Sequence, residues 1–401
     1  AGALRAPVDF TYKYTDGQQS FRREVRSWLK THLPQELQDS SGQPVLDQIG
    51  WGECAALRKK LGAKGWLAPK EPMELGGEGL DPANALVLFE ELDARGLGWL
   101  TEEAAGVLQA MGRRNNQRDR ESPATAIANG RVGCWRSQIH SLDDLDPGDW
   151  GIQITRDADD CILDGEGIFQ GRDPAPGYLW TLAVHDPGGH PEQAFSAFLI
   201  PPNLDGISIH PVRRMSPYQV HRICFDQVRV PPHCLVDQAK EGWFLTQSAF
   251  LTPPLPVRDR PLDDLLDYAR TTTVQGVSIA AEPVRQQLLM EAYINRGIQR
   301  LFRMRDAWMR STGAALTYHA AQTRLSEQRS ALRLSEITRE VMGVYSLFDH
   351  RDARAPKNGS FALQQRLALA DGRSAGSDSK MIADALGLVS HEPERAESPA
   401  A

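Results

Sequence analysis

The pattern of apolar and polar positions divides the chain into three stretches, and the middle one is the only long β-rich segment. Between Trp150 and Val236 lie the apolar runs Cys161-Ile162-Leu163, Tyr178 to Val184, Ala194 to Ile200, Ile207-Ser208-Ile209 and Ile223-Cys224-Phe225. Asp164-Gly165, Asp186-Pro187-Gly188-Gly189 and Asn203-Leu204-Asp205-Gly206 separate them. Short apolar runs bounded by Gly, Pro, Asn and Asp predict antiparallel strands. Their close spacing predicts a small barrel or sandwich.

Helical periodicity lies on both sides. Phe21, Val25, Trp28 and Leu29 fall on one helical face, which Pro34 ends. A second helix is expected over Leu46 to Leu61. Asp81 is a good N-cap with Pro82 at the first helical position, and opens a helix carrying Leu86, Val87, Phe89 and Leu92. Beyond the β-rich stretch, helices are expected over Pro261 to Ala269, from Glu282-Pro283 to Met309, over Tyr318 to Met342, and around Met381 to Leu388. Long helices with short connections predict an antiparallel bundle.

At 401 residues the chain has room for two or three domains with their own cores. The net charge of -7 and the lack of a Lys/Arg-rich block argue against nucleic acid as a partner. No apolar run reaches membrane-spanning length. Cys54, Cys134, Cys161, Cys224 and Cys234 are odd in number, widely spread and without a CxxC spacing. They read as free thiols in a reducing compartment rather than as a disulfide framework or a zinc site.

Several landmarks together resemble the acyl-CoA dehydrogenase family. Phe225-Asp226-Gln227-Val228-Arg229-Val230-Pro231, then Leu235-Val236 and Gly242-Trp243, are similar to the close of that family's middle domain. Leu163-Asp164-Gly165-Glu166-Gly167-Ile168-Phe169 resembles its "I-N-G-x-K-x-W". Gly65-Trp66-Leu67-Ala68-Pro69, Glu74-Leu75-Gly76-Gly77-Glu78-Gly79-Leu80 and Glu90-Glu91-Leu92 resemble its N-terminal helical domain. The resemblance implies an α+β fold: an N-terminal helical domain, a middle antiparallel β-barrel and a C-terminal four-helix bundle. The expected boundaries are a leader over 1–17, the helical domain over 18–133, the barrel over 134–240, the bundle over 241–390 and a disordered tail over 391–401.

The resemblance also says where chemistry is expected. The family holds FAD and an acyl-CoA thioester, and a glutamate removes the α-proton. In this chain the ligand motifs are degenerate while the structural ones are kept. The flavin and substrate loop falls on Ile139 to Asp146, where only the last Asp matches. The flavin-stacking motif reads Phe169-Gln170-Gly171-Arg172, so Phe169, Gln170 and Gly171 are candidate cofactor contacts, with an ordinary core strand as the alternative. The segment whose arginine reaches a neighbouring subunit's pyrophosphate reads Thr271 to Gly276. It keeps Gly276 as a candidate contact but loses the bidentate guanidinium. Glu340 to Tyr345 lacks the adenine-side Gly-Gly pair. One usual base position falls on Pro253-Pro254, and the other on Asp371, whose side chain is one methylene shorter than glutamate. Asp371 is therefore the one candidate catalytic residue, with a solvated loop aspartate as the alternative.

Three functions stay open. The chain is a subunit of a heteromeric acyl-CoA dehydrogenase, the other subunit supplying the base and most FAD contacts for α,β-dehydrogenation of an acyl-CoA. Or it is a flavin-free assembly subunit. Or it is an active flavoenzyme with a remodelled site. The implied partner is a homologous subunit in a dimer or tetramer. The implied location is the cytoplasm, with the mitochondrial matrix as the alternative.

Overall fold

The computed structural model describes residues 13–34, 48–95, 97–101, 107–108, 123–137, 147–157, 160–171, 173–189, 191–213, 219–236, 260–370 and 375–388. The first helix, α1 (Asp16–His32), begins inside the stretch expected as a leader. Thr15 makes it start there: its hydroxyl accepts from the Gln18 amide while the Gln18 side chain accepts from the Thr15 amide, a complete capping box. Arg22, Val25 and Leu29 form its buried face. Helix α2 (Gln48–Ala63) follows, then α3 (Pro82–Asp93), where Asp81 accepts from the Ala83 and Asn84 amides. A short helix, α4 (Pro123–Ala128), precedes the sheet.

The β-region comprises β1 (Cys134–Ser137), β2 (Ile152–Asp157), β3 (Asp160–Gly171), β4 (Tyr178–Val184), β5 (Phe195–Ile200), β6 (Ile207–Val212) and β7 (Gln219–Val230). The purely antiparallel expectation is corrected here, because β4 runs parallel to both β1 and β2. The cause is topological. β3 runs against β1 and β2, and β4 reverses direction once more, so β4 shares their sense. Since β1 and β2 each pair with both β3 and β4, the sheet closes on itself. β3 also carries β7, and β7 carries β6.

The interior of this sheet holds Trp135, Phe169, Phe198, Ile223 and Phe225. Its other side is continuous with the helical domain. Cys134, Trp180, Ala197 and Leu199 pack in one cluster with Val25, Leu29, Leu57 and Trp66. Helices and strands therefore share a core rather than meeting at a hydrated boundary.

After the sheet come α5 (Arg260–Thr271), a small hairpin of β8 (Thr273–Val274) and β9 (Val277–Ser278), and α6 (Pro283–Ser311). Glu282 caps α6 by accepting from the Val284 and Arg285 amides. Helices α7 (His319–Met342), α8 (Ser360–Ala370) and α9 (Ala375–Ala385) complete the described chain. The sequence reading has no counterpart of α8, whose apolar residues do not form a narrow stripe. Its Phe361 nevertheless packs into the cluster of Leu262, Leu265, Leu289, Ile337 and Val341, with Tyr268 edge-on. Helix α6 also reaches back to the N-terminal domain, where Met304 and Ala307 meet Ala85, Leu86 and Phe89 of α3.

Among the described residues no helix is long and apolar enough to cross a membrane. The five cysteines form no disulfide with one another, and all are buried except the half-buried Cys224.

Candidate functional site

The flavin-motif segment sits at the end of β3. Burial alternates along this strand, so Phe169 and Gly171 face inward while Gln170 faces the other way. Phe169 is 0% exposed and its ring lies 6.1 Å from that of Phe225. It has no free face to offer a ligand and takes the place of a core residue. Gln170, half-buried, is paired in register with Arg136 of β1 and Val220 of β7.

Gly171 is covered by Trp135. A Cβ at Gly171 would lie 2.0 Å from Trp135 Cδ1, so only a glycine lets the indole cross the strand here. Trp135 is 2% exposed, and its Nε1 donates to the Asp173 carbonyl at 2.7 Å. Its ring is stacked on His221, with ring centroids 4.0 Å apart and planes 13° apart. His221 lies opposite Phe169 in the β3–β7 register. Nδ1 of His221 is buried without a hydrogen-bond partner, and burial holds the imidazole pKa below its ordinary value. Asp173 anchors the arrangement from behind. Its carboxylate accepts from the Ala175 amide at 3.1 Å and lies 3.7 Å from the buried Arg58 of α2.

Gly276 has a different role. Gln275 and Gly276 form the two-residue turn between β8 and β9, with φ values of 52° and 81°. Both being positive makes this a type I′ turn, which favours glycine. A Cβ at Gly276 would meet nothing within 4 Å, so the glycine serves the turn and not a close approach within this chain. Thr271, where the family has its arginine, donates its hydroxyl back to the Asp267 carbonyl at 2.8 Å. At the other degenerate motif α7 ends at Met342, and Gly343 turns the chain into a short 3₁₀ segment that leaves Val344, Tyr345 and Leu347 exposed.

Asp371, Pro253-Pro254 and the loop Ile139 to Asp146 lie outside the described residues. Among the described residues no group of three His, Cys, Asp or Glu side chains could hold a metal. Three of the four candidate contacts do not fit a flavin: Phe169 and Gly171 are sealed by the chain's own rings, and Gly276 supports a turn, while Gln170 lies half-buried on the opposite face of β3. Sequence reading missed Trp135 and His221. The available signal was a tryptophan just after Gly133-Cys134, in a strand that must neighbour the motif.

Comparison with known proteins places this geometry. Residues 15–116 match the family description "Acyl-CoA dehydrogenase, N-terminal domain". Acyl-CoA dehydrogenase FadE26 of Mycobacterium tuberculosis is 25% identical over 276 residues, 66% of this chain and 68% of that protein. Acyl-CoA dehydrogenase IpdE1 of the same organism is 23% identical over 298 residues, covering 69% and 73%. Among solved structures, the ChsE4-ChsE5 complex from Mycobacterium tuberculosis is similar with a TM-score of 0.76 at 20% identity, covering 95% of this chain and 100% of that one. The Tcur3481-Tcur3483 steroid ACAD gives a TM-score of 0.80 at 18% identity, with the same coverage. At these identities the structural likeness is one of fold. Residues 15–116 are thus similar to the N-terminal domain of acyl-CoA dehydrogenases, and the chain as a whole shares the fold of these solved structures.

Proposed function

We propose that this chain is a subunit of a heteromeric acyl-CoA dehydrogenase, and that a homologous partner chain carries the FAD and the catalytic base for α,β-dehydrogenation of an acyl-CoA thioester. The observation that carries this reading is an uncovered apolar stripe on α6. Met290, Ile294, Ile298 and Leu301 recur at helical spacing and are 57%, 54%, 42% and 39% exposed. Isolated exposed apolar residues are ordinary, but a continuous row along one long helix marks an interaction surface. Val344, Tyr345 and Leu347 add apolar surface at the end of α7. Two solved relatives in fold are described as a two-component complex and a two-component steroid enzyme, which supports a second family chain as the occupant.

In this reading the chain supplies a folded surface, and the C-terminal helices take the place of the family's four-helix bundle at the subunit contact. The acyl-CoA is the substrate of the assembly. No step of the reaction is assigned to this chain's described side chains.

A second reading, a flavin-free assembly subunit in an inactive complex, is favoured by the Trp135–His221 stack over Gly171. Co-expression separates the two. The chain is produced with a second, better preserved family member, and the mixture is followed by size exclusion and by acyl-CoA-dependent reduction of an artificial electron acceptor. A joint peak that turns over supports the heteromeric enzyme. A joint peak that binds flavin but does not turn over supports the assembly subunit. Turnover by this chain alone sinks both.

A further inference from the structure

We propose that Trp135 and His221 form an internal plug that fills the flavin side of this chain's own β-domain, so that the domain stays closed to flavin whether or not a partner is bound. The inference rests on the proposed function and deepens it by locating the cause in two side chains.

Three independent observations converge on the plug. The first is steric. The indole lies so close over Gly171 that even a methyl group there would meet it at 2.0 Å. An isoalloxazine ring system cannot occupy the same space. The second is that the indole is fixed and not resting in a loose rotamer. Its N–H is bound to the Asp173 carbonyl at 2.7 Å, and its ring is held against His221 at 4.0 Å and 13°. Swinging it out would break a buried hydrogen bond, and a carbonyl left unpaired in a core costs about 1–3 kcal/mol. The third is that the motif's other aromatic is also spoken for. Phe169 is wholly buried, packs near Phe225, and lies opposite His221 in the β3–β7 register. Moving the His221 ring to admit a ligand would uncover the indole that it stacks on, next to the buried Phe169 across the β3–β7 pair.

The arrangement also links two residues that look unrelated in the sequence. A glycine at 171 is needed because a tryptophan stands at 135, and each is unsatisfactory without the other. His221 then caps the indole from the neighbouring strand.

The test uses the full chain purified alone. The emission of Trp135 is isolated as the difference between the wild-type protein and Trp135→Phe. Expected are a blue-shifted difference spectrum, no response to added acrylamide or FAD, and quenching on acidification as His221 gains a proton. The acid quenching should vanish in His221→Phe. After incubation with FAD and gel filtration, the wild-type chain should carry no visible flavin band. Retention of stoichiometric FAD by the wild-type chain overturns the proposal, as does a Trp135 emission quenched by FAD. Circular dichroism confirms that the two variants fold. If either does not, the retention of FAD by the wild-type chain after gel filtration still decides. Failure of the heteromer reading would show as no joint peak with a family partner, and leaves these outcomes unchanged.

Discussion

Arg22 Nη1 donates to Glu91 Oε1 at 2.8 Å across the contact between α1 and α3, and both side chains are buried. Arg26 and Arg95 reach the other carboxylate oxygen at 2.9 and 3.2 Å. Burial alone would raise the Glu91 pKa, but the hydrogen bonds from Arg26, Arg22 and Arg95 outweigh it and hold the carboxyl below its ordinary value. Glu91→Ala would remove one of the two buried carboxylates that hold Arg22, leaving Glu90 Oε2 at 2.6 Å as its partner. The expected loss is about 1.5–3 kcal/mol, the range for a lost hydrogen bond to a charged group, read from urea denaturation. Because the folded pKa is depressed, the contribution is present above the unfolded carboxylate value and disappears as pH falls through the folded one. The acid limb of a stability–pH curve should therefore be shallower in Glu91→Gln than in the wild-type protein.

His221 adds a second dependence on acid pH. Burial favours its neutral form in the folded chain. The unfolded chain takes up a proton near the ordinary histidine value before the folded one does, so stability falls as pH drops below that value and stops falling once the folded pKa is passed. The difference in melting temperature between wild type and His221→Phe should narrow at acid pH. A difference independent of pH would show that the imidazole is not held neutral.

The fit between Gly171 and Trp135 predicts coupled substitutions. Gly171→Ala places a methyl group against the indole, and overpacking of this kind costs about 1–3 kcal/mol. The same change in a Trp135→Leu background should cost much less, because the obstructing atoms are gone. A double-mutant cycle by chemical denaturation measures the interaction. Additive losses would place the indole elsewhere.

The apolar stripe on α6 separates folding from assembly. Ile294→Asp together with Ile298→Asp alters exposed positions, so stability should change by no more than about 0.5 kcal/mol per site. Co-purification with a family partner should be lost. Retained co-purification would move the interface off α6.

The sequence discloses most where the determinants are local. Asp81 and Pro82 announce the start of α3 because a cap and its helix are neighbours in the chain. The Thr15–Gln18 capping box is equally local, although the first helix is expected later. The parallel partnership of β1 with β4 is not disclosed, since it depends on how two reversals of the chain add up in space. Nor is the Trp135–Gly171 fit. Degeneracy of the flavin motif is visible in Phe169-Gln170-Gly171 itself, but what fills the vacated space comes from another strand. The helix Ser360–Ala370 escapes notice because its burial is imposed by neighbours rather than by a narrow apolar face.

The cluster that joins Val25, Leu57 and Trp66 to Trp180, Ala197 and Leu199 has a consequence for how this chain can be cut or recombined. A truncation after α4 would leave the helices without the strands that complete their interior, and the strands with a bare tryptophan. Neither fragment should survive alone as a soluble module. A chimera with a relative would keep its integrity only if the crossover lay beyond Val236, so the helical and β portions are inherited together as one block.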